Sequence, residues 1–441
     1  MNEYPYWWDT VPALRAGTPD AGPTATNVEP GTGNTQPVVP RSADVAIIGA
    51  GYTGLAAARQ LARAGADVVV LEREHIGFGA SSRNGGQVLT GLKVEAASLV
   101  TRYGEARARQ LFEVALESIA RLEALVSEEA IDCDYSCVGH IQAAWKAKHF
   151  DAFREEQSLL ARVFAHRVEL VSRAEQRSEI GSDAYHGLLV DERSGALNPA
   201  KYVQGLSRAA VRAGAALVSG VAVTGARKRG DRWHVATSHG DVQARDVFLA
   251  TDGYSHGAAP ALQRRFISIG SYVIATEPLT AAHSEALLPR RRMAFDSKNF
   301  LYYFRVTSDR RLLFGGRAEF STPGPETTRH AAAILRRGMT TIFPELAKAR
   351  IEYAWGGFVA FTRDQMPRAG VLDGAYYAGG YCGHGVAMAT HLGEQIARRM
   401  AGESIDHPLF DDRFAAIPMY RCTPWFLPLV GAYYQVKDWL A

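Results

Sequence analysis

Cysteine is scarce in this chain. Four residues among 441, Cys133, Cys137, Cys382 and Cys422, are too few and too scattered for a disulfide framework. A thiol-reduced, cytoplasmic setting is therefore expected. Cys133 and Cys137 make a C-x3-C spacing with no matching second pair, which argues against a structural metal. Long apolar runs are absent as well, and no stretch reaches the ~20 residues of a membrane span. Neither sign of charge dominates: 49 Lys+Arg against 46 Asp+Glu leave +3, with no basic stripe to hold nucleic acid or an anionic membrane. The opening MNEYPYWWDTVPALRAG has neither the basic start nor the apolar centre of a secretory signal. What is present, 47% hydrophobic and 22% charged residues, suits a soluble globular chain long enough for two cored lobes.

Tyr4, Tyr6, Trp7 and Trp8 form an aromatic cluster too apolar to stay solvated, so it should pack on the body of the protein. Residues 17–42, rich in Gly, Pro, Thr and Ser, read as an extended arm. DVAIIGAGYTG then begins a buried strand, Val45 to Ile48, that runs into glycines. The pattern Leu55, Ala58, Leu61, Ala62 is helical up to a Gly65 cap, and DVVVLE (67–72) is the next strand. Strand, helix and strand make the first step of a doubly wound, Rossmann-like parallel sheet. A helix is expected over about 95–126, another near 151–165, and a third from Pro199. A β-meander follows, with turns at Arg229-Gly230-Asp231 and His239-Gly240, closed by the strand VFLAT. Residues 266–360 are expected to hold several strands.

The expected fold is mixed α/β. A dinucleotide-binding lobe is assembled from 41–92, 196–260 and 362–415, beside a β-rich substrate lobe from 93–195 and 261–361. An arm (1–40) and a tail (416–441) flank them.

Gly49-Ala50-Gly51-Tyr52-Thr53-Gly54 is G-x-G-x-x-G. Alone that pattern is weak, but here a buried strand precedes it, a helix follows, and Glu72 stands 23 positions after Gly49. Gly49 would make the tight turn, Gly51 would admit a pyrophosphate to the backbone, and Gly54 would let helix and sheet approach. The helix amino terminus would face the phosphates, and Glu72 would accept from ribose hydroxyls. This unit does not separate NAD from FAD. The stretch GFGASSRNGGQV (77–88) points to a flavin, because Gly79, Ala80, Ser81, Ser82, Arg83, Asn84, Gly85, Gly86 and Gln87 offer close backbone approach and many short donors.

Near the carboxyl end stands GGYCGHG (379–385), which reads as a thiolate with its base, half a metal site, or a turn. A cysteine–histidine hydrolase centred on Cys382 and an NAD-binding module are the non-flavin alternatives. Six segments, in order, decide among them: DVAIIGAGYTGLAAARQLARAGADVVVLE, IGFGASSRNGGQV, IDCDYSCVG, DVFLATDGY, LYYFRVTSDRRLLFGG and YYAGGYCGHGVAMATHLG. Together they resemble the FAD-dependent D-amino-acid-oxidase/glycine-oxidase superfamily, and most of all its γ-glutamylputrescine oxidoreductase branch. The likeness runs from about residue 40 onward and includes the aromatic arm.

That resemblance implies FAD held by Gly49, Gly51, Tyr52, Thr53, Gly54, Glu72, Arg73 and the 79–87 loop. Val223, Ala250 and Thr251 would lie near the adenine side, and Gly380, Tyr381, Gly383, His384, Gly385, Val386 and Ala387 against the flavin edge. It implies hydride transfer from an amine-bearing carbon to the flavin, giving an imine that hydrolyses to an aldehyde, with O2 or another acceptor reoxidising the cofactor. A γ-glutamylputrescine-like amine is the expected substrate; glycine-like, D- or N-alkyl amino acids are the alternative. Tyr302, Tyr303, Phe304, Trp355 and Phe358 would line a pocket that keeps the amine neutral by desolvation. His384 would neighbour the flavin, and Arg305, or Arg363 in the alternative, could clamp a carboxylate. Sarcosine oxidases of this superfamily carry a flavin-linking cysteine and a substrate-binding lysine. GGFVAFTRDQMP and GASSRNGG supply no attachment residue and Ala387 replaces the lysine, so non-covalent FAD and a longer amine are expected.

Overall fold

A computed structural model describes residues 1–15, 37–255, 257–316, 323–420 and 426–427. Most of the Gly/Pro-rich arm, and the tail beyond residue 420 apart from 426–427, including Cys422, lie outside the described residues.

Strand Ser42–Ile48 is paired in parallel with Val68–Leu71 on one side and Val242–Leu249 on the other. The sheet extends in parallel to Ala216–Val218 and to Ala375–Gly379, and ends in the antiparallel strand Arg368–Leu372. Both faces of its centre are buried, as a near-continuous apolar run requires. Val45, Ile47, Val68 and Val70 join the core formed with helices Tyr52–Arg63, Pro199–Arg212 and Gly385–Met400. Ala46, Ile48, Val69 and Leu71 join Val221, Trp233 and Val235 of the meander on the other face. Alternation along the strands assigns those faces.

The second sheet has eight strands in the order Ile351–Phe361, Ile267–Thr276, Leu312–Gly316, Tyr302–Val306, Met293–Asp296, His140–Ala143, Leu188–Asp191 and Glu169–Val171. All pairs are antiparallel except Met293–Asp296 with His140–Ala143. Its outer face packs on helix Pro325–Ile342, which the strand-rich reading of 266–360 does not anticipate. Pro325 starts that helix after Gly324, and Thr328, Ala331, Ala332, Leu335, Met339 and Ile342 bury one stripe. Helix Ala96–Glu128 is interrupted at Gly104 (φ 76°), and from there Leu111, Val114, Ile119, Leu122 and Leu125 are buried.

The amino-terminal residues dock on the second sheet. Asn2 adds to the edge strand Ile351–Phe361, donating to the Glu352 carbonyl (2.7 Å) and accepting from Ala354 N–H (2.9 Å). Tyr6 donates to Asp309 (2.7 Å) from a buried position.

Candidate functional site

The dinucleotide end follows from local backbone constraints. Strand Ser42–Ile48 stops at Gly49, whose φ of 105° is left-handed and whose added Cβ would stand 2.8 Å from the Ala250 carbonyl. Gly51 caps helix Tyr52–Arg63 in extended conformation, and the first turn of that helix carries no acidic side chain. Its free N–H groups and dipole are thus open to an anion. Ser81 reaches across from the next loop to accept the Tyr52 N–H (3.0 Å). Glu72, at the end of the second strand, accepts from Ala50 N–H (2.9 Å) and Glu74 N–H (3.0 Å), while burial raises its pKa.

From these residues a groove runs past Val221, Val223, Ala250 and Thr251 to Ala80, Ser81, Tyr381 and Gly383. The groove is open to solvent and runs from the glycine turn to the GGYCGHG loop, a shape suited to an extended ligand.

The loop after the second strand is stitched from within. Asn84 donates to the Ala80 carbonyl (2.9 Å) and accepts from Gly86 N–H (2.7 Å). Ser82 is buried, donating to Gly77 (2.7 Å) and accepting the Trp8 indole N–H (2.8 Å). Arg83 lies over the rings of Phe78 (4.4 Å) and Trp8 (4.9 Å), and donates to the carbonyls of Phe78 and Gly356.

On its far side the loop borders a second cavity, walled by Ile269, Val273, Phe295, Leu301, Tyr303 and Phe361. Ala80, Asn84, Phe358, Val359, Cys382, Gly383 and Val386 line both spaces, so the two are contiguous.

GGYCGHG closes the site. Asp252 accepts from Gly380 N–H (2.7 Å), and burial raises its carboxyl to about 6 despite that bond. The Tyr381 hydroxyl meets Thr53 Oγ1 (2.7 Å), tying the loop to the nucleotide helix. Cys382, with a left-handed φ of 54°, donates its thiol to the Gly380 carbonyl (3.1 Å), and burial lifts the thiol to about 12. A buried thiol turned to a carbonyl rather than to His384 is a poor nucleophile. His384 precedes helix Gly385–Met400 and borders the second cavity, its Nδ1 buried with no partner. Desolvation first, then the positive charges of Lys93 and His140, hold its ring at about 3.

Of the expected cofactor residues, Gly49, Gly51, Tyr52, Thr53, Glu72, Arg73, Gly79, Ala80, Ser81, Asn84, Val223, Ala250, Thr251, Tyr381, Gly383, Gly385 and Val386 line the groove. Arg83, Gly85, Gln87 and His384 line the second cavity instead. Gly54, Ser82, Gly86, Gly380 and Ala387 lie behind the walls and shape them.

Among the expected substrate residues, Tyr303 and Phe358 reach the cavity. Three do not. Tyr302 and Tyr303 are strand neighbours and point to opposite faces, so Tyr302 packs on Phe314 (4.9 Å) and beneath Lys298. Trp355 is fully buried, its indole N–H given to the Arg83 carbonyl (2.9 Å). Arg305 shares the face of Tyr303 but stops short: it donates to the Gly86 carbonyl (3.0 Å) and lies over Trp7 (5.4 Å). Sequence reasoning missed Asp252, Tyr254, Lys93 and Phe295. Asp252, in the quoted DVFLATDGY, was recoverable as the acid after a strand end; Lys93 carries no motif.

A glycine turn at a helix amino terminus, an acid after the second strand and a contiguous apolar chamber define a dinucleotide-dependent oxidoreductase. Residues 44–399 match the family described as FAD dependent oxidoreductase, or DAO. The chain belongs to that family, and its cofactor is FAD. It is 35% identical to the probable oxidoreductase OrdL of Rhizobium meliloti (strain 1021) over 410 residues, 91% of this chain and 94% of that protein. It is 33% identical to the γ-glutamylputrescine oxidoreductase of Escherichia coli (strain K12) over 403 residues, 90% and 92% of the two chains. The crystal structure of glycine oxidase from Geobacillus kaustophilus superposes with a TM-score of 0.74 at 20% identity, over 86% of this chain and all of that one. Among the described residues no helix is long and apolar enough to cross a membrane.

The groove fits the cofactor. A Cβ on Gly51 would stand 2.8 Å from Ser81 Oγ, in the space where a pyrophosphate must approach, and in the adjoining second cavity His384 Nδ1 is buried with no protein partner.

Proposed function

We propose that this enzyme oxidises a primary amine of the γ-glutamylputrescine type, R–CH2–NH2, to an imine that water converts to an aldehyde and ammonia. The single observation that carries this reading is the 33% identity, across nine-tenths of both chains, to the γ-glutamylputrescine oxidoreductase. The cavity is consistent with it. The first sheet's lobe is assigned to the cofactor and the second sheet's lobe to the amine. Bound FAD, held non-covalently, supplies the hydride acceptor, and O2 or another acceptor then restores it. The setting assigned to this chemistry is cytoplasmic.

The chain's own residues prepare the substrate. The walls formed by Phe295, Leu301, Tyr303, Phe358 and Phe361 remove water from the amine, which lowers its pKa and leaves the lone pair that must expel the hydride. Tyr303 cannot serve as base near neutral pH, because burial pushes its phenol up to about 12. His384 is neutral above about pH 3, so it acts here as a hydrogen-bonding neighbour of the cofactor and not as a titrating base. We expect the pH profile of amine-driven flavin bleaching to show the substrate's ionisation and no histidine limb between pH 5 and 8. His384→Leu should slow bleaching by ~10²-fold, the effect of losing one preorganised donor, without moving that profile.

The test of substrate is direct. The purified holoenzyme, mixed with amines under anaerobic conditions, should bleach with γ-glutamylputrescine and not with glycine or sarcosine. The reverse result would replace the proposal with amino-acid oxidation. That alternative needs a carboxylate clamp, and Arg305 is engaged with Gly86 while Arg363 is exposed and absent from the described lining.

A further inference from the structure

Four aromatic rings lead from the cofactor end of the molecule to its surface. Trp7, fully buried, donates its indole N–H to the carbonyl of Asn84, which lines both groove and cavity. Between ring centroids, Tyr6 lies 5.0 Å from Trp7, Tyr353 lies 5.5 Å from Tyr6, and Tyr4 lies 5.9 Å from Tyr353. Tyr6 and Tyr353 are buried and Tyr4 is half-buried, so the row ends at the surface. Packing explains the spacing of the rings. It does not explain the partners of the hydroxyls. Tyr6 donates to Asp309 (2.7 Å), and Tyr353 (2.7 Å) and Tyr4 (3.3 Å) both donate to Asp9 Oδ2. A neutral carbonyl would satisfy a phenol as well, yet all three face carboxylates. Burial first, then these hydrogen bonds, hold the protons on: Tyr6 is raised, and Tyr353 is pushed up to about 12. A phenol that cannot ionise is oxidised only if its proton leaves with the electron, and a hydrogen-bonded carboxylate can take it. Trp7 has no such outlet, since its partner is a carbonyl, and the Arg305 guanidinium lies over its ring (5.4 Å). Positive charge is therefore disfavoured on Trp7, while the tyrosines can shed theirs as a proton.

We propose that Trp7, Tyr6, Tyr353 and Tyr4 form a relay that carries one-electron oxidising equivalents from the FAD site to the surface. The oxidant is FAD excited by blue light, a one-electron acceptor, and the final donor is a thiol in solution. Trp7 gives up an electron and keeps its N–H proton. Tyr6 then returns an electron to Trp7 and passes its phenolic proton to Asp309. Tyr353 returns an electron to Tyr6, which takes its proton back from Asp309, and the Tyr353 proton moves to Asp9. Tyr4 refills Tyr353 in the same way through Asp9. The thiol S–H bond breaks, its hydrogen atom restores the Tyr4 O–H bond, and the proton left on Asp9 goes to solvent. In sum the flavin gains one electron, the thiol becomes a thiyl radical, and one proton is released. The relay is independent of which amine the enzyme oxidises. Its effect is to spare the cofactor loop from oxidation by its own chromophore.

The test illuminates the holoenzyme, without amine, thiol or air, in the presence of a nitrone spin trap, and maps the adducts by peptide mass spectrometry. Wild type should carry an adduct on Tyr4, and added thiol should abolish it. Tyr6→Phe and Tyr353→Phe, which keep the rings, should lose that adduct. Asp9→Asn, which keeps a hydrogen-bond acceptor but takes no proton, should lose it as well. Tyr302→Phe removes a phenol outside the row and should leave it in place. A second measurement needs no variant: in D2O the tyrosyl radical's absorption in wild type should rise more slowly, because the proton moves with the electron. No Tyr4 adduct in wild type, an undiminished one in Tyr6→Phe and Asp9→Asn, or an unchanged rise in D2O would each overturn the relay.

Discussion

Gly54→Val is expected to purify without flavin colour. A Cβ at this position would lie 2.0 Å from the Gly49 carbonyl oxygen and 3.2 Å from Ile47 Cγ2. The first contact is with backbone, so no side-chain rotation relieves it. Helix Tyr52–Arg63 cannot retreat either, because Gly393 of helix Gly385–Met400 sits behind it, where a Cβ would already be 2.3 Å from the Thr53 carbonyl. The helix is held between a strand end and a second helix, and the strain must fall on the Gly49–Gly51 turn. Phosphate-binding N–H groups work only while aligned, and losing two charge-assisted hydrogen bonds at ~1.5–3 kcal/mol each predicts FAD binding weakened at least ~100-fold. Overpacking adds ~1–3 kcal/mol of destabilisation. The ratio of flavin to protein absorbance and a fluorescence titration with FAD measure the effect. Gly65→Ala is the control: φ there is 88°, but nothing stands within 4 Å of an added Cβ, so flavin should be retained. Stoichiometric flavin in Gly54→Val would refute the packing argument.

Trp7→Ala should be the most destabilising single change in the amino-terminal region. Trp7 is 1% exposed, and truncating a buried tryptophan costs ~3–5 kcal/mol. Its indole N–H satisfies the Asn84 carbonyl (2.9 Å), and Arg305 rests over its ring. Both partners belong to the cofactor end of the molecule: Asn84 lines groove and cavity, and Arg305 holds the Gly86 carbonyl. Desolvation lowers the Arg305 guanidinium to about 10, so it is still charged at neutral pH and loses an aromatic face if the ring is removed. The variant should show a lower urea midpoint at unchanged slope and faster flavin release, because the 79–87 loop loses its anchor. Trp7→Phe, which keeps most of the packing, should cost only ~1–2 kcal/mol for the lost hydrogen bond. Equal flavin release in Trp7→Ala and wild type would confine the arm to a purely structural role.

Several parts of this site are legible without coordinates. The turn from Ile48 through Gly49 to Gly54, and Glu72 at the next strand's end, depend on contacts within about thirty residues, and the glycines have no permissible substitute there. GGYCGHG reads as a turn into a helix for the same local reason. Other features resisted. Helix Pro325–Ile342 is dense in Thr and Arg, so its buried stripe of Ala, Leu, Met and Ile is faint against the strands around it. Asp252 acquires its place by accepting from Gly380, 128 positions away, and no local pattern encodes that meeting.

The parity of strand Tyr302–Val306 marks the boundary between the two kinds of information. Alternation alone determines that Tyr303 and Arg305 share one face while Tyr302 and Phe304 share the other. It cannot choose the face that meets the cavity, because both are covered: Tyr303 packs against the core built with the helices, Phe304 within the core under helix Pro325–Ile342. Residue order by itself determined the nucleotide turn, the class of cofactor and the family. Only the tertiary structure decided that Tyr303 reaches the second cavity and that Arg305 ends on a loop carbonyl. Those outcomes depend on which surfaces meet across hundreds of residues, and burial on both sides of a sheet leaves no polarity in the sequence to announce it.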